Sequence, residues 1–133
     1  MRASAACPAW SSSSASVSRS AGAFVAAEAR KLYEETLAAD ATSQQALRGA
    51  ARAAAAAGDP DAALRYWARV LDGSTPGGTA WYEARVAQVT VLADSGRRPE
   101  ACQVLRTSRG RATSAGADQL DARLRGMESQ VCQ

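Results

Sequence analysis

Residues 46–72 read ALRGAARAAAAAGDPDAALRYWARVLD, and the order of residue types along them decides the fold. Leu47, Ala50/Ala51, Ala54 and Ala57 recur at the three-and-four spacing of one helical face. Gly58-Asp59-Pro60 then supplies a residue free to adopt positive φ, a capping carboxylate, and a proline suited to the first helical position. Beyond it Ala63, Trp67 and Val70-Leu71 resume the helical spacing. The stretch therefore predicts two helices, roughly 43–57 and 60–72, joined by a tight turn.

Working outward, Ala29-Tyr33-Leu37 precedes Ala63-Trp67-Leu71 by 34 residues with the same small-aromatic-aliphatic order. A self-similar period of that length marks a helical-hairpin repeat. Phe24/Val25, Ala29, Leu32/Tyr33 and Thr36/Leu37 predict a first helix over roughly 22–39, with Asp40 and Thr42-Ser43 as stop and start signals. After a Gly-rich loop at 73–79, Thr79 is expected to cap a helix over roughly 80–94. Ser95-Gly96-Arg97-Arg98-Pro99 repeats the Gly-to-Pro punctuation and starts a fifth helix near 98. Leu120, Leu124, Met127 and Val131 mark a sixth, expected to cap the array while Asp121, Arg123, Arg125 and Glu128 face water. The predicted fold is all-α: antiparallel helical hairpins stacked as a short solenoid of about six helices, ending in a capping helix.

Composition agrees with this class. Ala supplies 33 of the 133 residues, Ile is absent and Phe occurs once, so core volume must come from nine Leu, eight Val and a few aromatics. Ala favours helix and lets helices approach closely, and β-branched residues are scarce. The length suits one domain with a modest core. Sixteen bases against 13 acids give a net charge of +3, well short of the clustered excess of a dedicated nucleic-acid binder. Fifteen of those bases are Arg, which together with abundant Ala and no Asn is what a GC-rich coding sequence produces.

Residues 1–21 differ from the rest. They contain Ser11-Ser12-Ser13-Ser14 and Pro8, with only Arg2 and Arg19 charged, and they are expected to be disordered because they bury too little apolar area to offset ordering entropy. No continuous apolar run there fits a secretory signal, and the hydrophobic segment of a lipoprotein signal is missing before Cys7. No run along the chain reaches the length of a transmembrane helix. The helical repeat domain is expected over 22–133.

From about residue 22 to 110 the chain resembles a tetratricopeptide repeat protein. Ala51, Gly58, Ala63, Trp67 and Val70-Leu71 match one complete repeat. Ala29, Tyr33 and Thr36-Leu37 match the second helix of a preceding one, and Gly96, Ala101 and Leu105 match a following one that opens on Ala80-Trp81-Tyr82. The interval from Ala63 to Ala101 is 38, so about four residues are inserted at the Gly-rich loop, and Leu105 stands where an aromatic is expected. The resemblance implies packing roles for Ala29, Tyr33, Leu37, Ala51, Gly58, Ala63, Trp67, Leu71, Gly96, Ala101 and Leu105, with Trp67 and Tyr33 filling the space between hairpins.

It also implies that the first helix of each hairpin lines a concave, ligand-binding face. Arg48 and Arg52, four apart on one such helix, and Arg85 on the next are then candidates to grip carboxylates of an acidic peptide or protein partner. The alternative is an ordinary solvated helix face. The family's chaperone-binding members use Asn to hold a C-terminal carboxylate, and this chain has no Asn, so that ligand is not expected. With no His, the usual neutral-pH base, the triads built on it and most zinc sites are absent. Asp59 and Asp61 read as helix-start residues, and Gly73 to Gly78 lacks the Lys-Ser/Thr ending of a phosphate loop. A non-catalytic interaction scaffold without metal or cofactor is expected. A second reading is an Arg-rich nucleic-acid module using Trp81, Tyr82 and Tyr66 with Arg97-Arg98, Arg106, Arg109 and Arg111.

None of the three cysteines has CxxC spacing. Cys102 and Cys132 fall at the same end of a fifth-sixth helix hairpin, which leaves two readings: a disulfide, implying an oxidising compartment such as a bacterial envelope, or two small reduced core residues in a cytoplasmic protein. The first recognisable helix matches only the second half of a repeat. An exposed apolar edge is expected there, favouring self-association or a place at the C-terminal end of a longer array.

Overall fold

The computed structural model of the protein describes residue 22 and residues 24–133, so the expectations for 1–21, Cys7 included, lie outside the described residues. Everything regular in it is α-helix: α1 over 24–39, α2 Gln44–Ala56, α3 Pro60–Asp72, α4 Thr79–Asp94, α5 Arg98–Ser108 and α6 Ala115–Val131. The six helices pack against their neighbours as a small helical-repeat arrangement. α2 with α3 and α4 with α5 form hairpins, and α4 lies at the centre, touching α3, α5 and α6.

The two Gly-to-Pro punctuation marks fold alike. Gly58 and Gly96 take φ of 84° and 79°, a left-handed conformation that a Cβ disfavours, and each closes its helix with a pair of amide bonds reaching back three and five residues. At α3 the Asp59 carboxylate accepts the Ala62 N–H at 3.1 Å and Pro60 starts the helix. At α5 the capping position is Arg97, which has no acceptor to offer, and its guanidinium binds Glu100 and Asp61 instead. Ser43 and Ser114 cap α2 and α6 through their hydroxyls. Thr79 does not cap α4. It is the first helical residue, and Gly78 precedes it without a side-chain cap, because the loop is held from elsewhere: the Gly77 carbonyl accepts both the amide and the hydroxyl of Thr113.

Alanine sets the helix spacing. Ala46, Ala50, Ala51, Ala54, Ala62, Ala63 and Ala84 are buried, so α3 meets α2 and α4 closely, and Leu47, Trp67 and Val70 fill the remaining volume. A second cluster gathers Trp81, Tyr82, Val89, Leu105 and Leu124 between α4, α5 and α6, with Ala101 and Ala117 at the close approaches. Half-buried Leu71 touches both clusters and joins them. Leu37 is buried and Ala29 is half-buried, but Tyr33 departs from its expected core role: its ring rests against Gly49 of α2 with 36% of its surface open. Cys102 and Cys132 are joined as a disulfide, Cα atoms 5.0 Å apart, tying the end of α6 to the start of α5.

Asp121 is a second departure. Expected on the wet side of α6, it is 7% exposed. Its carboxylate accepts the Gly110 N–H at 3.0 Å, lies 3.5 Å from the Tyr82 hydroxyl and pairs with Arg125. The fully buried Tyr82 hydroxyl donates to the Ser108 carbonyl at 2.7 Å and accepts the Arg111 N–H at 2.9 Å. One side chain thus fastens the α5–α6 connection, whose backbone groups have no helical partners, onto α4.

Candidate binding groove

α2, α4 and α6 together line an open groove of about 490 Å³. Its apolar surface comes from Trp67, Val86, Val91 and Leu120, and its charge from Arg52, Glu83 and Arg123. α2 and α4 are the opening helices of their hairpins, so the groove runs along the side where the repeat pattern places a concave face. α6 closes it: the stripe that packs α6 onto α4 continues at its border into Leu120 and Arg123, three residues apart.

The three candidate arginines, Arg48, Arg52 and Arg85, do not converge. Arg48 donates to Glu83 at 3.4 Å and bridges α2 to α4. Arg52, one turn on, lies over the Trp67 ring at 5.9 Å and enters the groove. Arg85 is outside the groove lining, its guanidinium 5.0 Å from the centre of the Trp81 ring. Burial, with the neighbouring Arg111 cation, pushes the Arg85 pKa below its ordinary value, and its Nε is buried without a hydrogen-bond partner among the described residues. The reason is geometric: Arg48 and Arg52 share a face of α2, but Arg85 is two positions beyond Glu83 on α4 and points to another side of that helix.

Arg52 shares the groove lining with Arg123 of α6, which the sequence pattern assigns to the outer surface. Neither makes an ion pair with another described residue, whereas Glu83 already has Arg48. The groove therefore carries an excess of positive charge beside apolar walls. The signal that could have found Arg123 is its place three residues after Leu120, on the border of the packing stripe.

Other chemistry is sparse. No group of three or more His, Cys, Asp or Glu among the described residues is placed to hold a metal ion, and no described helix is long and apolar enough to cross a membrane. Trp81 and Tyr82 are buried and offer no face for base stacking, and Arg97 and Arg109 are engaged with acidic side chains. Comparison with protein-family models, curated proteins and solved structures gave no match.

Proposed function

We propose that this protein is a non-catalytic interaction scaffold of the tetratricopeptide-repeat type, and that its α2–α4–α6 groove takes a peptide segment of a partner protein carrying an acidic side chain next to aliphatic ones. The observation that carries this reading is two guanidinium groups without an ion-pair partner among the described residues, Arg52 and Arg123, lining an apolar groove floored by Val86, Val91 and Trp67. A guanidinium held over an aromatic ring is oriented, so it binds a carboxylate with less ordering cost than a free surface Arg. The aliphatic walls then supply apolar burial for neighbouring side chains. Arg48 holds Glu83 back from the ligand and keeps the groove cationic; it is a positioning residue.

The disulfide between Cys102 and Cys132 supports an oxidising compartment, such as a bacterial envelope, as the place of action. The reading is tested by titrating an acidic, Leu-containing peptide against the protein and against Arg52→Ala with Arg123→Ala. A charge-assisted bond contributes about 1.5–3 kcal/mol, so each substitution is expected to weaken binding by roughly tenfold or more. Equal affinity of the double variant and the parent would remove the groove from consideration, and a loss in Arg48→Ala as large as in Arg52→Ala would mean that Arg48 contacts the ligand directly.

A further inference from the structure

The groove does not end at Val91. A second cavity of about 260 Å³ shares Ala55 and Val91 with it and continues past them to Gly58, Pro60, Asp94 and Ser95. The shared residues make the two cavities one channel along α4, whose Ala87, Val91 and Asp94 follow one another at helical spacing on one face. Charge is divided along this channel. Arg52 and Arg123 line the first cavity and not the second, and Asp94 lines the second and not the first.

Asp94 is exposed and makes no ion pair with another described residue. The other acids at that end are engaged, Asp59 with Arg30 and Asp61 with Arg97. The channel thus has two cations in one half, an anion in the other, and Val91 between them. A segment bearing an acid alone leaves Asp94 unmatched, whereas one bearing an acid and a base in the right places matches both halves.

The separation of these charges follows from how α2 and α4 lie. Arg48 donates to Glu83, and further along both helices Ala55 and Val91 face the same two cavities. The helices therefore run in the same direction, and Arg52, one turn after Arg48, stands level with Ala87, one turn after Glu83. Asp94 is two turns beyond Ala87, about 10.5 Å along α4. An extended chain advances about 3.3–3.6 Å per residue, so about three residues of it span that distance. A short isolated peptide is only marginally helical in water, so the extended form is the one it adopts at lower ordering cost.

We infer that the segment taken by this groove is bipolar: its acid binds Arg52 and Arg123, and a Lys or Arg about three residues away binds Asp94, with the chain extended along Val91 between them. This rests on the reading of the groove as a peptide site and adds an orientation to it, because the reversed placement sets like charges against each other in both halves.

The test uses the full oxidised chain and fluorescent Leu-containing peptides with a single Glu, either without a base or with one Lys at successive positions on either side of the Glu. Affinity is read by fluorescence anisotropy at low salt. A Lys about three residues from the Glu is expected to raise affinity about two- to fivefold over the base-free peptide, the size of an exposed ion pair. Asp94→Lys, with its far-ultraviolet helix signal intact, is expected to reverse the preference, so that a second Glu at that position binds better than Lys. The inference alone is overturned if the base-free peptide binds through Arg52 and Arg123 but Lys gives no gain, an equal gain at every position, or a gain that survives in Asp94→Lys. If the base-free peptide does not bind the parent, or binds Arg52→Ala with Arg123→Ala equally well, the groove reading falls and the inference falls with it.

Discussion

Tyr82 ties three parts of the structure together through one hydroxyl. Its hydroxyl is the meeting point of the Ser108 carbonyl at the end of α5, the Arg111 amide of the α5–α6 connection and the Asp121 carboxylate of α6. Replacing it with Phe keeps the ring and removes the hydroxyl, leaving the buried carbonyl and amide without partners, so Tyr82→Phe is expected to lose about 1–3 kcal/mol of stability in urea unfolding. Burial raises the Tyr82 pKa above the ordinary value of 10.0. The folded state thus prefers the neutral phenol: this contribution is intact below the ordinary value and disappears as pH rises through the raised one. Parent protein should lose stability above about pH 10 more steeply than Tyr82→Phe does, as followed by thermal melts across that range. None of this network is legible in the sequence. Tyr82 shows there as an aromatic at packing spacing and Asp121 as one acid among charges on an outer face, because the groups that need them are backbone atoms of a distant loop.

The helices are where the sequence is most readable. Gly58-Asp59-Pro60 and Gly96 to Pro99 contain the stereochemical instructions for stopping one helix and starting the next, and α3 and α5 begin where those instructions place them. The start of α4 is less readable, since Thr79 resembles a cap while the loop is in fact pinned through Gly77 and Thr113 from far along the chain. At Asp59 the cap does double duty. The Ala62 N–H, and after it the Arg30 guanidinium, hold its pKa below the ordinary carboxylate range. The stabilisation is therefore present above that range and lost as pH falls through the lowered value. Asp59→Ala is expected to lower stability at neutral pH and to make unfolding less sensitive to acid, checked by chemical denaturation at neutral and acidic pH. The Cys102–Cys132 bond closes a loop of 30 residues in sequence separation onto α6. In the chain-entropy account such a loop is worth about 3–4 kcal/mol, so Cys102→Ser with Cys132→Ser should melt well below the oxidised parent and match the parent kept in reductant.

At the scale of the molecule, the helical period leads to an all-helical arrangement, but it does not say which arginines face into the groove. Arg48, Arg52 and Arg85 look equivalent along the sequence and end in an ion pair, a groove and an aromatic stack. Direction around a helix depends on crossing geometry that small residues set, and one step along α4 turns a side chain by 100°. The same geometry brings in Arg123 from α6 and leaves Phe24, Val25 and Leu32 of α1 exposed. The groove is the centre of the functional account, and the most direct measurement is selection from a random peptide display library on the immobilised oxidised protein, with affinities then measured for the parent and for Arg52→Glu with Arg123→Glu. Enriched peptides are expected to share an Asp or Glu beside aliphatic residues and to lose at least about tenfold affinity for the double variant. Enrichment of no common sequence, or peptides that bind both proteins equally, would contradict it.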